Sequence, residues 1–197
     1  MANYKVTISM SQDTVTQLTQ QGQSLLGFKS VISDNTGGVP VVWFSTTTLG
    51  LNTYVKWTES YQAYTSSEQA IASGEIDASN PYDIDLGQTL HVDGSAGTGT
   101  VMSSGTAGSI IITSTVDQAF TCGVSQKSGG DFNPICAFPL NGNGTDTITP
   151  IEKVFLVFAS GPVNTGTVIE KSAGPGLLID LTDAGSRTVQ YLSLIHI

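Results

Sequence analysis

Apolar and polar residues alternate along this chain in short runs, separated by clusters rich in Gly, Ser, Thr and Asn. The stretch YVKWTESYQAY shows the pattern. Val55, Trp57, Tyr61 and Ala63 share one face of an extended chain, and Lys56, Thr58, Ser60 and Gln62 share the other. Glu59 breaks the rule by falling on the apolar side, which a bulge or an edge position accommodates; a buried functional carboxylate is the other reading. Runs of this kind predict strands at 3–10, 24–32, 39–47, 54–65, 88–93 and 109–115, and again at 119–126, 135–140, 150–160, 166–171, 176–182 and 187–191. The turn SDNTGG between the second and third reads as a hairpin.

Two runs behave differently. Residues 154–158, and VPVVWF at 39–44, are apolar on both faces, as in strands covered from both sides. The one helical pattern, 12–21, is expected to supply one cover. Ser11 suits its N-cap, Asp13 its positive first turn and Gly22 its end, with Met10 and Val15 placed as a hydrophobic staple. Short strands at regular spacing with a single short helix predict an all-β, two-sheet antiparallel sandwich, residues 1–191 forming one domain.

An internal echo bears on the organisation. Phe44 aligns with Phe158, Asn52-Thr53 with Asn164-Thr165, and Trp57 with Ile169; the triplet at 84–86 recurs at 179–181, and Thr100-Val101 at Thr188-Val189. This suggests two pseudo-repeated β units, about 1–127 and 128–191, against coincidence in a biased composition. The last six residues, 192–197, resemble the product of one reading frame of a transposon end used in sequencing adapters. They are expected to be a non-native tail, with the natural chain continuing past Tyr191. A natural apolar last strand is the alternative.

Charge narrows the functions. Sixteen acidic residues against seven basic ones give a net charge of −9, and the basic residues are scattered singly along the sequence. Nucleic-acid binding lacks its main source of affinity, and attraction to anionic lipid is disfavoured. The N-terminus has no apolar run of signal-peptide length, so export by an ordinary signal is not expected, and no run approaches a membrane span. Cys122 and Cys136 read as buried thiols or as one strand-to-strand disulfide.

Reactive constellations are sparse. Outside the expected tail His91 is the only histidine, and no Gly-x-Ser-x-Gly pattern accompanies it. Asp83 and Asp85 share a face if extended and are weak Ca²⁺ candidates. No cofactor or catalytic residue is expected. Aromatics concentrate at Trp43, Phe44, Tyr54, Trp57, Tyr61 and Tyr64. By alternation Tyr54 and Tyr64 lie on the polar face, and with Asn52 and Asn164 they are the candidates for ligand contact. The expected function is non-catalytic binding of a neutral glycan or a lipid surface. Two alternatives stand beside it. Ser/Thr/Gly-rich segments such as 94–109 would suit amphipathic hairpins, and in overall character the chain resembles small soluble pore-forming toxins. A self-assembling structural subunit would use an uncovered strand face for homo-oligomer contacts.

Overall fold

Alternation, cap and turn chemistry act together to build two curled sheets packed face to face, in a computed structural model that describes residues 2–169 and 174–192. In chain order the first strands are β1 (Asn3–Ser9), β2 (Gln23–Ser33), β3 (Val39–Pro40), β4 (Phe44–Thr46) and β5 (Asn52–Ser66). Next come β6 (Asn80–Ile84), β7 (Thr89–Val92), β8 (Gly99–Met102), β9 (Ile110–Ser114) and β10 (Phe120–Ser128). The last are β11 (Asp131–Pro134), β12 (Cys136–Leu140), β13 (Thr145–Ser160), β14 (Gly176–Asp180) and β15 (Ser186–Gln190).

The first sheet runs β15-β1-β5-β10-β12-β3, with β6 on β5 and β11 on β10; the second runs β4-β2-β13-β9-β7-β8, with β14 on β13. The architecture is the expected all-β sandwich. Its pairing is mostly antiparallel, but β15 lies parallel to β1 and β9 parallel to β7. Helix α1 (Gln12–Gln20) begins as its sequence asks: Ser11 Oγ accepts from Thr14 N at 3.1 Å. Met10 is buried in the main core, Val15 packs against that same core, and Gly22 leaves the helix with φ +62°.

Residues 39–47 do not simply return as the second arm of a hairpin on β2. β3 joins β12 in the first sheet, and only β4 returns to pair with β2. Between them the chain crosses from sheet to sheet, and its side chains diverge. Val41 packs with Tyr64, Ile76, Ala137 and Val168; Val42 with Leu26 and Val157; Trp43 enters the main core. VPVVWF is therefore apolar throughout because three consecutive residues serve three clusters. The second face of 154–158 is covered by Val42 with Val163 and Ile169 nearby, not by the helix, whose Leu18 closes the main core instead.

β5 and β13 are the long spines, and each carries a register irregularity. Across β5–β10 the partners shift from Gln126↔Tyr61 to Ser128↔Trp57; across β13–β2 they shift from Ile151↔Ser30 to Val154↔Lys29. Each spine thus holds two extra residues, an even number, so inward and outward positions are preserved on either side.

Strands from both stretches of the sequence echo share each sheet, and the matched marks fall in different settings. Trp57 lies within β5, whereas Ile169 follows the isolated bridge Val41↔Val168. Ile84 ends β6 in the first sheet, and Ile179 lies in β14 in the second. Of the expected strand at 166–171, residues 170 and 171 lie outside the described residues, as does the expected tail beyond Leu192.

Candidate functional site

Register turns three neighbouring strands into one polar face. β1 lies between β5 and β15, setting Lys5 beside Lys56 and Ser186, Thr7 beside Tyr54 and Thr188, and Ser9 beside Asn52 and Gln190. The intervening Val6, Ile8, Val55 and Trp57 are buried, so the named side chains point the other way. Tyr54 is the aromatic of this face and is 46% exposed. The Nζ of Lys5 lies 4.4 Å from its ring centroid and that of Lys56 5.4 Å, close enough for cation–π attraction that steadies the ring.

Two grooves border this row. Asn52 and Tyr54 line one of about 460 Å³ together with Phe44, Thr46 and Leu49. Lys5 and Lys56 line the other, about 370 Å³, with Tyr4, Trp57, Lys127 and Gly129. Lysines that stand 51 and 71 positions apart in sequence thus meet at one groove; basic residues scattered along the chain are not all scattered in space.

On the inner face of the same strands lies a hydrogen-bonded cluster. Tyr4 stacks on Trp57 at 5.5 Å between centroids, and Tyr4 Oη donates to Glu59 Oε1 at 2.8 Å. Trp57 Nε1 donates to Glu152 Oε2 at 2.8 Å, and that oxygen also accepts from Lys29 Nζ at 2.8 Å. The Lys29 side chain is 0% exposed, with its ammonium 4.6 Å from the Trp57 ring. Tyr61 Oη reaches Glu152 Oε1 at 3.4 Å from the opposite sheet. Burial pulls the Lys29 ammonium below its ordinary pKa against the pull of Glu152, and burial pushes the Tyr61 phenol up. Glu152 has the parity of the inward Ile148 and Val154, lies in the bulge of β13, and ties the two sheets together at the bulge of β5. Glu59, which broke the sequence pattern, sits in that second bulge, half-buried and held by Tyr4 and the Ala2 amide.

The sequence candidates part company here. Asn52 and Tyr54 share a groove. Tyr64 does not join them: it is 0% exposed, and its hydroxyl donates to the Cys136 carbonyl at 2.7 Å. Its parity is the expected one, but that end of the outward face lies beneath Val41, Ile76 and Val168. Asn164 is exposed beside a different groove, its amide donating to Glu75 Oε2 at 3.4 Å. Asp83 accepts from Gln62 Nε2 at 2.9 Å, and Asp85 lies past the end of β6. Among the described residues no group of three or more His, Cys, Asp or Glu converges as a metal centre would need.

His91 is half-buried within β7. Cys122 and Cys136 are free and buried, so of the two readings the thiols hold. Cys122 donates to Asp146 Oδ2 at 3.1 Å. Sequence reasoning missed the lysine convergence and the Lys29–Glu152 pair. Lys5 and Lys56 were legible as outward residues, but only strand register makes them neighbours.

These features define the class: an all-β sandwich of two sheets with a polar outer face that carries an exposed aromatic. No known protein family, curated protein or solved structure matches the chain.

Proposed function

We propose that the protein is a non-catalytic binding protein whose outward β15–β1–β5 face recognises a glycan. The observation that carries this reading is Tyr54, an exposed ring with two lysine ammoniums near it and Asn52, Thr7, Ser9, Thr188 and Gln190 around it. A sugar ring offers an apolar C–H face to an aromatic and hydroxyls to side-chain amides and hydroxyls, and this surface has both complements. Rigid strands hold the donors in place, which lowers the entropy cost of binding. Screening the full chain against an oligosaccharide array, followed by titration calorimetry on the hits, tests it. Tyr54→Ala is expected to weaken binding about tenfold or more, roughly 1.4 kcal/mol. Unchanged affinity in that variant, or an array without binders, removes the reading.

Self-assembly is a second reading with its own support. Leu177 and Leu178 are 49% and 56% exposed on β14, which among the described strands pairs with β13 alone. An apolar cleft of about 200 Å³ lies beside them, lined by Leu25, Leu156, Phe158 and Tyr191. Sedimentation over a concentration series separates this reading from the first. Pore formation would need segment 94–109 to leave its present place, where β8 pairs with β7; dye release from liposomes is its test.

A further inference from the structure

We infer that the glycan is acidic, carrying carboxylate or sulfate groups that seat on Lys5, Lys56 and Lys127. This deepens the glycan reading and rests on it. Three observations converge. The first is the pairing itself: Lys5 and Lys56 are direct cross-strand partners, and like charges placed so destabilise a sheet. The second is the lack of compensation. The ion pairs among the described residues are Lys29–Glu152 and Lys153–Asp180, so none of the three groove lysines has a carboxylate at ion-pair distance. In a chain with 16 acidic residues to choose from, this groove is left cationic. The third is the shape. The groove of about 370 Å³ is lined by residues 3–5 and 56–58 and by the Gly129-Gly130 turn, and its size falls in the range of about 300–1,000 Å³ usual for small-ligand sites.

The nearby acids do not cancel this charge. Glu59 is engaged by Tyr4 Oη and the Ala2 amide. Asp131 follows the glycine turn and is exposed at the start of β11. The ligand's charge must also be sparse. With a net charge of −9, the rest of the surface repels a dense polyanion such as a nucleic acid or a strongly anionic bilayer. Charge on some sugars, with neutral hydroxyls between them to meet Thr7, Asn52 and Thr58, matches cationic and neutral positions lying side by side.

The test titrates the full chain with partly methyl-esterified oligogalacturonate, with the same oligosaccharide fully methyl-esterified, with a heparin-derived oligosaccharide, and with vesicles of phosphatidylserine and phosphatidylcholine. The partly esterified oligogalacturonate should bind, with affinity falling as salt rises, and stronger binding of the heparin fragment would overturn the sparse-charge assignment. The double variant Lys5→Gln/Lys56→Gln should lose at least about tenfold, Lys127→Gln a smaller factor, and the remote Lys153→Gln nothing. Equal binding of the fully methyl-esterified oligosaccharide, still dependent on Tyr54, would overturn the acidic assignment and leave the glycan reading standing. Binding to vesicles alone, or to none of these and no glycan on the array, would overturn both.

Discussion

Lys29 is the residue on which the interior most depends, because a buried ammonium is tolerable only while its partners stay in place. Its ion pair with Glu152 and the Trp57 ring beneath it supply those partners. Lys29→Met leaves the Glu152 carboxylate without its counter-ion, and Glu152→Gln leaves the ammonium without one. Each should cost about 3–5 kcal/mol in urea unfolding. Lys29→Met/Glu152→Leu should recover part of this but not all, since Trp57 Nε1 would stay buried without its acceptor. Costs that simply add would show that the two groups do not act as a pair. At the surface, Asp34 shows the opposite balance. It accepts from the Thr147 amide at 2.9 Å, and that hydrogen bond holds its carboxyl below the ordinary 3.8. A carboxylate so favoured contributes stability above the ordinary value and loses it as pH falls through the lower folded value. Asp34→Ala should therefore flatten the pH dependence of the denaturation midpoint below about pH 4.

Elements were legible where one face alone is covered, and obscure where the chain's own segments cover both. On β5 the inward set Val55, Trp57, Tyr61 and Ala63 follows alternation, and the bulge at Glu59 follows from its misplaced charge. Tyr64 shows the limit: parity is local, but the cover over it comes from Val41, Ile76 and Val168, brought there by crossovers. The short strands β6, β8 and β11 contain Pro, Gly, Asn or Asp and read as turns; they are strands because β5, β7 and β10 offer them hydrogen bonds. The lysine groove was invisible for the same reason, since it depends on which strands lie side by side. One close approach tests the layering where β5, β10 and β12 meet. A Cβ on Gly123 would overlap the Cys136 carbonyl and lie 2.6 Å from Tyr64 Oη. Gly123→Ala should cost about 1–3 kcal/mol or more and weaken the Tyr64 hydrogen bond. Gly50→Ala, whose Cβ would meet only Asn52 O at 3.9 Å, should be neutral or raise stability by up to about 1 kcal/mol in thermal unfolding. Equal effects at the two sites would contradict the packing of β10 against β12.

Across the whole molecule the interior is built to hold protons, and this sets how the fold responds to alkali. Burial pushes the Cys136 thiol up to about 12 and raises the Cys122 thiol well above its ordinary value, the neighbouring Asp146 adding to the second. Burial likewise raises the phenols of Tyr4, Tyr61 and Tyr64. Each of these acids binds its proton more tightly folded than unfolded. Their contribution is therefore intact below the ordinary thiol value of 9.0 and declines as pH rises from there towards the folded values. Lys29 works the other way, its proton being held more weakly in the fold, but its effect ends at the ordinary value of 10.5. Above that pH the groups with shifted values that still titrate are these thiols and phenols, all in one direction. The urea midpoint should thus fall steadily between about pH 9 and 11, and Cys122→Ala/Cys136→Ala should reduce the early part of that fall. The thiols also report when it happens. At about pH 8 a disulfide reagent needs a thiolate, and both cysteines are protonated in the core between the sheets. Their labelling should follow global unfolding, with both reacting at one rate that rises together with loss of tyrosine and tryptophan signal. Fast labelling of either cysteine in the native protein would mean that β10 and β12 open independently of the rest, and the alkaline response would then belong to that part of the first sheet and not to the sandwich as a unit.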